Sequence, residues 1–348
     1  MFAKNLPAIR RKLLRWYDKN RRDLPWRRTR DPYAIWIAET MLQQTQVTTV
    51  LDYYEKFLGA FPTVQALDRA PLEQVLRAWS GLGYYRRAEN LKKAARRIRR
   101  AHGGDLPREF HSLRQLAGIG DYTAGALMSI AFRRRYPAVD GNVRRVLGRV
   151  FARAEEKKLK AIATELVPRS RPGDFNQALM ELGATICSPK DPKCEGCPLA
   201  PECAARSRSA QPQPTTRPSR VEFTDVTWPL AIVRLRGKIL LRQRADNGLL
   251  ARLWELPGRE LEPSDKPISA LRKELKPLSL TLTRQQPIGE IRHSITHRRI
   301  RAPVYFIECP AAAKIRLPGK QWRWIDPAAL ANQAVSSMTA KALNSLRP

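Results

Sequence analysis

Apolar residues recur at helical spacing through most of the first 200 positions. Ile9, Leu13, Trp16 and Tyr17 fall at i, i+4, i+7 and i+8, one stripe of an amphipathic helix. Asp31-Pro32 reads as an N-cap followed by a first-turn proline, and the run beyond it through Val50 contains neither Gly nor Pro. Further helices are predicted at about 63–78, 84–101, 109–116, 122–132, 142–152 and 157–167. The period then changes: Pro229 to Arg236 and Lys238 to Arg244 are short β-rich runs broken at Gly237, and 300–308 alternates similarly. Helices fit at 267–276 and 337–346. Between the two patterns, 205–220 is a Pro, Ser, Thr and Gln stretch with nothing to bury. The pattern predicts an all-α domain over 1–204, a linker over 205–222 and an α+β domain over 223–348, with no internal repeat.

A length of 348 residues suits two domains, and 43% hydrophobic residues suffice for their cores. No run approaches the roughly 18 apolar residues of a membrane span. The basic N-terminus reads as structure, not as an address, because no cleavable apolar core follows; a soluble, cytoplasmic monomer is expected. The net charge of +32 changes the picture most, since it favours a polyanionic partner. Residues 1–210 hold +19 of it and residues 211–348 the other +13, so no detachable tail accounts for it. Nucleic acid is the first candidate and an anionic membrane surface the second.

Four of the five cysteines form a C-x6-C-x2-C-x5-C array, Cys187, Cys194, Cys197 and Cys203, while Cys309 stands alone in an apolar run. Without a signal peptide, metal ligation explains the cluster better than disulfides. Four soft thiolates suit tetrahedral zinc or an iron–sulfur cube, and the spacing leaves both open.

Leu116-Ala117-Gly118-Ile119-Gly120-Asp121-Tyr122 separates two helical patterns. Gly118 and Gly120 permit a tight turn whose amides could hold a DNA backbone phosphate, although such turns also occur for packing alone. The basic run over 84–100 suggests further phosphate contacts. Two carboxylates have contrasting surroundings. Glu39 emerges on an apolar stripe with Ile35, Trp36 and Leu42, where desolvation should raise its pKa. Asp140, before Gly141-Asn142 and a helix striped by Val143, Val146, Leu147 and Val150, should be an N-cap held ionised by amides and the helix dipole. Such a pair can divide into acid and anion; equally, each could be a buried glutamate and a simple cap.

Several segments together resemble MutY-type adenine DNA glycosylases of the helix–hairpin–helix, endonuclease III-like superfamily: Leu24-Pro25-Trp26-Arg27, Glu39 to Val47, Gly81-Leu82-Gly83-Tyr84-Tyr85, Val139-Asp140-Gly141-Asn142-Val143, Phe175 to Gly183 and the four-Cys spacing. The resemblance covers nearly the whole chain. It implies a helix–hairpin–helix glycosylase domain with one [4Fe-4S] cluster in the 187–203 loop, followed by a Nudix-like domain. It implies hydrolytic removal of adenine, flipped from duplex DNA, opposite 8-oxoguanine or guanine. On this pattern Glu39 is the acid that protonates adenine N7, and Asp140 is the anion beside the sugar cation. Tyr122 and Asn142 would orient Asp140 and the sugar. Trp26, Arg27, Leu42, Val47 and Glu181 would line the adenine pocket, with Gln44 and Tyr84 entering the stack near the opposing purine. Other repair proteins are possible partners.

Departures from the pattern sharpen this reading. Tyr122 stands where bifunctional relatives place a Schiff-base lysine, so no strand-cleaving lyase activity is expected. In the second domain, Leu253 to Gly258 is the clearest Nudix-like landmark, but Ser264 replaces the first glutamate of a Nudix box, so nucleotide hydrolysis is not expected. His293-Ser294-Ile295-Thr296-His297 matches the 8-oxoguanine recognition loop, with Thr296 retaining a hydroxyl and Ile295 losing an aromatic ring. Ala117 replaces a hairpin proline, and Arg144 stands where some members carry a lysine able to trap the abasic product. Two rivals remain: an oxidised-pyrimidine glycosylase/lyase, disfavoured by Tyr122 and the second domain, and a catalytically idle DNA-binding protein, disfavoured by the Glu39–Asp140 pair.

Overall fold

The computed structural model describes residues 5–152, 155–207, 222–262, 264–282 and 286–345. In chain order its helices are α1 (Leu6–Asn20), α2 (Pro32–Met41), α3 (Val47–Ala60), α4 (Val64–Arg69), α5 (Leu72–Ala78), α6 (Arg86–Ala101), α7 (Phe110–Arg114), α8 (Asp121–Ala126), α9 (Gly141–Phe151), α10 (Glu156–Leu166), α11 (Pro172–Thr185), α12 (Ala204–Ser207), α13 (Pro267–Leu275) and α14 (Ser337–Ser345). The strands are β1 (Thr224–Thr227), β2 (Leu230–Leu235), β3 (Lys238–Gln243), β4 (Trp254–Glu255), β5 (Gly289–Ile295), β6 (Arg298–Glu308) and β7 (Trp322–Ile325). Most of the expected 205–222 linker, residues 208–221, lies outside the described residues; 205–207 belong to α12. Two compact units result, Met1–Ala70 with Glu89–Ser219, and Pro71–Ala88 with Arg220–Pro348. That α5 and the loop after it belong with the C-terminal sheet was not foreseen from the sequence.

The first unit is helical. α1 buries Ile9, Leu13 and Tyr17 in one core with Val146 and Leu147 of α9, Ile162 of α10 and Phe175 and Leu179 of α11. Arginines from two directions close the C-terminal end of α10: Arg10 Nε donates to the Leu166 carbonyl at 2.8 Å and Arg135 Nε to that of Val167 at 2.7 Å, meeting the carbonyls a helix end leaves unpaired. The Asp31 cap forms as expected, its carboxylate accepting from the Tyr33 and Ala34 N–H groups. The helix it starts, however, ends at Met41 and not near Val50. Leu42 to Gln46 form a turn with Gln44 at φ +58°, and Gln43 Nε2 donates to Thr123 Oγ1 at 3.2 Å. A tertiary bond to α8 thus stabilises a break that no Gly or Pro signals. The helix expected over 63–78 likewise splits at Ala70-Pro71 into α4 and α5, and 122–132 becomes α8 followed by a wider turn over Leu127–Ala131.

The second unit is built on a seven-stranded sheet ordered β1-β6-β2-β3-β4, with β5 pairing β6 and β7 pairing β3. β6 runs parallel to β1 and β2; the other pairs are antiparallel. One face buries Ile232, Leu241 and Val304 beneath Met338 and Ala342 of α14, the other Val233, Leu240 and Tyr305 beneath Leu271 and Leu275 of α13. The β2 and β3 runs were legible from composition; the β5–β6 hairpin was only partly so, because Arg-rich outward positions obscure its alternation. Among the described residues no helix is long and apolar enough to cross a membrane. Leu13 is fully buried at the centre of the first core. Leu13→Ala should therefore lower stability by about 2–5 kcal/mol, read by denaturant unfolding of the intact chain; a loss below about 1 kcal/mol would mean that the core collapses around the missing side chain.

Candidate active site

The first unit brings Glu39, Tyr122, Asp140 and Asn142 onto three helix segments around one buried region. Glu39 is the eighth residue of α2, flanked on the same face by the buried Ile35 and Trp36, and is 5% exposed. Its partner is Tyr122, in the first turn of α8, whose hydroxyl donates to Glu39 Oε2 at 2.5 Å. The same hydroxyl lies 3.6 Å from Met180 Sδ of α11. Burial pushes Glu39 up to about 7, with the Asp140 charge adding to the rise and the Tyr122 bond and the Arg27 charge opposing it. The rise expected from its apolar setting is present.

Asp140 caps α9 as the sequence led us to expect: its Oδ1 accepts from the Val143 N–H at 2.7 Å, and Asn142 Nδ2 donates to its Oδ2 at 3.0 Å. One expectation needs correction. The cap bonds, the Asn142 side chain and the Arg145 charge all favour the carboxylate, but burial outweighs them and raises Asp140 above its ordinary value. Both carboxyls are thus raised, Glu39 to about 7 and Asp140 by burial against the pull of its cap bonds. Tyr122 also differs from expectation in hydrogen bonding to Glu39, leaving Asn142 to orient Asp140.

Arg145, unmarked in the sequence, holds this arrangement from below. Its Nη2 donates to Asn142 Oδ1 and to the Gly183 carbonyl, each at 2.7 Å, and its Nε to the Cys187 carbonyl at 2.7 Å. One guanidinium thus joins the Asp140 cap, α11 and the start of the cysteine loop. Its signal was only positional, one turn after the cap. Arg22 was also missed: with Arg27 it grips Glu181, its Nε at 2.7 Å and Nη2 at 2.8 Å, and Arg27 Nη2 at 2.8 Å. Burial alone would raise Glu181, but these two cations bring it down to about 2. Arg27 also covers the Tyr17 ring, and Trp26 packs edge-on against Tyr54 at 5.4 Å. Leu42 and Val47 are half-buried on either side of the α2–α3 turn, whose exposed tip is Gln44.

Gly118, at φ +79°, makes the turn before α8, and a Cβ there would fall 2.9 Å from Asn90 Cβ. Gly120 caps α8, and Asp121 in its first turn is paired by Arg114 and Lys160. On α6, Arg96 and Arg99 converge on the buried Asp68, and Arg97 on Gln115, so part of the basic run is structural; Lys93 and Arg100 remain exposed. In the second unit, Tyr84 and Thr296 are exposed at positive φ, +46° and +54°. His293 faces Ser337 and His297 faces Arg298.

Cys187, Cys194, Cys197 and Cys203 all line one cavity of about 300 Å³ beside α9. Burial raises the Cys187 thiol and pushes Cys197 up to about 11, while buried Arg149 donates to Cys187 Sγ at 3.2 Å. Among the described residues no three His, Cys, Asp or Glu side chains are gathered to hold a single metal ion. Four thiolates facing one cavity are a donor set that fits either a tetrahedral zinc or an iron–sulfur group.

Comparison with known proteins settles the family. Residues 37–169 match the HhH-GPD superfamily of base excision DNA repair proteins, and residues 230–345 match the NUDIX domain. The chain is 39% identical over 401 residues to the adenine DNA glycosylase of Rattus norvegicus, covering 97% of this chain and 77% of that one. The Homo sapiens adenine DNA glycosylase is 37% identical, with 96% and 73% covered. The chain belongs to the adenine DNA glycosylase family. Among solved structures, a thermostable thymine-DNA glycosylase matches with TM-score 0.56 and 34% identity over 58% of this chain and 97% of that one. An endonuclease III–DNA complex matches with TM-score 0.52, at 23% identity over 59% and 98%, a likeness of fold alone. The helix–hairpin–helix plus Nudix-like architecture expected from the sequence is thereby borne out.

A Cβ on Gly183 would sit 2.6 Å from Asn142 Cβ and 3.1 Å from its backbone, so Gly183→Ala should displace the Asp140 cap and slow base release by about 10²-fold in single-turnover assays; an unchanged rate would mean the cap tolerates the shift. Folding raises Glu39 from 4.5 to about 7, so its contribution to stability is full below about pH 4.5 and lost as pH rises through about 7. Glu39→Gln removes that loss, and its Tm advantage over the parent chain should grow between pH 5 and 8. A constant difference would place the Glu39 titration elsewhere.

Proposed function

We propose that this chain is a monofunctional DNA N-glycosylase that removes adenine mispaired with 8-oxoguanine or guanine, starting base excision repair. The observation that carries the reading is the buried Glu39 carboxyl, poised at about 7 beside the phenol of Tyr122 and the capped Asp140. Leaving-base departure places electron density on the purine and positive charge on the sugar. Glu39 supplies the proton to the base, and at neutral pH a large share of it is protonated. Asp140, fixed by the Val143 amide and Asn142, supplies the negative charge beside the sugar cation and can attack it transiently. Tyr122 fixes the orientation of the Glu39 carboxyl by donating to its Oε2 and, having no amine, cannot form a Schiff base with the abasic sugar, so the strand stays intact.

Trp26, Arg27, Leu42, Val47 and Glu181 receive the flipped adenine, the Arg22–Arg27–Glu181 cluster offering fixed charges at the back of that pocket. The amides of the Gly118–Gly120 turn and the exposed cations of α6 take backbone phosphates. Gln44, Tyr84 and Thr296 face the opposing purine. In this division Met1–Ala70 and residues 89–204 carry the chemistry, while 223–348 together with Pro71–Ala88 read the lesion. Cys187, Cys194, Cys197 and Cys203 would hold one [4Fe-4S] cluster, their thiolates supplying its iron ligands.

With iron-replete protein and a duplex bearing adenine opposite 8-oxoguanine, single-turnover assays should show base loss that yields strand breaks only after alkali, with a rate that falls as pH rises through about 7. Glu39→Gln should retain mispair binding and lose base release. Near-parental release by that variant would remove Glu39 from the acid role, and tight binding without release by the parent would make the chain a binding protein.

A further inference from the structure

Residues 71–88 fold with the C-terminal sheet, and specific side-chain bonds join them to it. Glu73 of α5 offers one carboxylate oxygen to two groups: Trp254 Nε1 donates to it at 3.1 Å, and Arg323 Nη1 approaches to 3.5 Å. Arg323 also lies over the Trp254 ring, 4.4 Å from its centroid, so cation, ring and carboxylate form one cluster. Trp254 of β4 is almost fully buried, which makes its N–H a fixed anchor. Along the same segment Arg77 Nη1 donates to the Asn332 carbonyl at 3.3 Å, and Ser80 Oγ donates to that of Val335 at 3.2 Å.

α5 leads directly into a loop that braces itself. Trp79 Nε1 donates to the Gly83 carbonyl at 3.1 Å, Arg87 Nη2 donates to the carbonyls of Leu82 and Gly83, and the Gly81 N–H donates to the Tyr85 hydroxyl. Gly81 and Gly83 adopt φ of +101° and +72°, and between the latter and α6 stands Tyr84 at +46°. A non-glycine residue keeps such a conformation only when its surroundings impose it. The result is to present the Tyr84 ring to solvent, 48% exposed; Phe223 is the other large hydrophobic so exposed among the described residues.

We propose that Glu73 is a positioning residue: through Trp254 and Arg323 it fixes α5 and the Tyr84 loop to the C-terminal sheet, so that the Tyr84 ring and the Thr296 turn meet the purine opposite adenine as one body. This rests on the functional reading above. Fixing the loop beforehand removes the ordering cost from binding, so the benefit falls on recognition of the opposing purine and not on the chemical step. Nothing local in the sequence marks this contact, because Glu73 and Trp254 are 181 positions apart.

The test uses the full chain, iron-replete, with duplexes carrying adenine opposite 8-oxoguanine or guanine and 2-aminopurine beside the opposing purine to report ring insertion. Glu73→Ala removes both bonds, Glu73→Gln keeps an acceptor for the indole but not the charge facing Arg323, and Trp254→Phe removes the indole donor while keeping an aromatic ring beneath Arg323. Glu73→Ala should weaken binding of the 8-oxoguanine duplex about tenfold, affect the guanine duplex less, and leave the rate at saturating enzyme unchanged. The 2-aminopurine rise should shrink with it, Glu73→Gln and Trp254→Phe should fall between, and Glu73→Ala should add nothing in a Tyr84→Ala background. Equal loss on both duplexes with a lowered Tm, effects additive with Tyr84→Ala, or no change in binding would each overturn the proposal. Parental protein that inserts the ring but releases no adenine would fail the functional reading instead, and the binding and fluorescence comparisons would still decide the role of Glu73.

Discussion

A carboxyl group buried in a helical core with one hydroxyl as its close partner sets the terms for the rest of this molecule. Glu39 cannot be ionised cheaply among Ile35, Trp36 and Met41, so it holds its proton to about neutrality. The Tyr122 bond tempers that rise without cancelling it. Everything that brings Tyr122 to 2.5 Å serves this arrangement: the Gly118 turn that starts α8 at the right place, and the break after α2 that lets Gln43 reach Thr123.

The second carboxyl illustrates how competing effects resolve by magnitude. Asp140 has the donors of a helix cap, a side-chain amide and a nearby guanidinium, which in water-exposed settings would lower its pKa. Here burial is the larger effect, and the net direction is upward. The surrounding donors oppose the rise and decide the direction in which the carboxylate points. Arg145 extends that control to the cysteine loop, so the geometry of the cap depends on the order of the residues around Cys187.

Charge is used in two ways. Some of the +32 is spent internally, as in Arg10 and Arg135 closing α10, Arg22 and Arg27 gripping Glu181, Arg96 and Arg99 on Asp68, and Arg242 and Arg244 on the fully buried Glu255. In the ion pairs the carboxylate is the buried partner, and losing its arginines strands that charge. Lys93 and Arg100 are among the cations that remain exposed.

The sequence by itself determined the all-α to α+β order, the caps at Asp31 and Asp140, the four-cysteine loop, the apolar setting of Glu39 and, through joint motifs, the family. These are local properties, fixed by periodicity, by hydrogen bonding within a few residues or by spacing along the chain. Only the tertiary structure decided which groups meet: Tyr122 with Glu39 across 83 positions, Arg22 with Glu181 across 159, Glu73 with Trp254 across 181. It also reversed the direction expected for Asp140 and ended α2 nine residues early. The physical reason is common to all of these. Desolvation and long-range hydrogen bonds depend on what the folded chain packs around a group, and that packing is not written in the residues beside it.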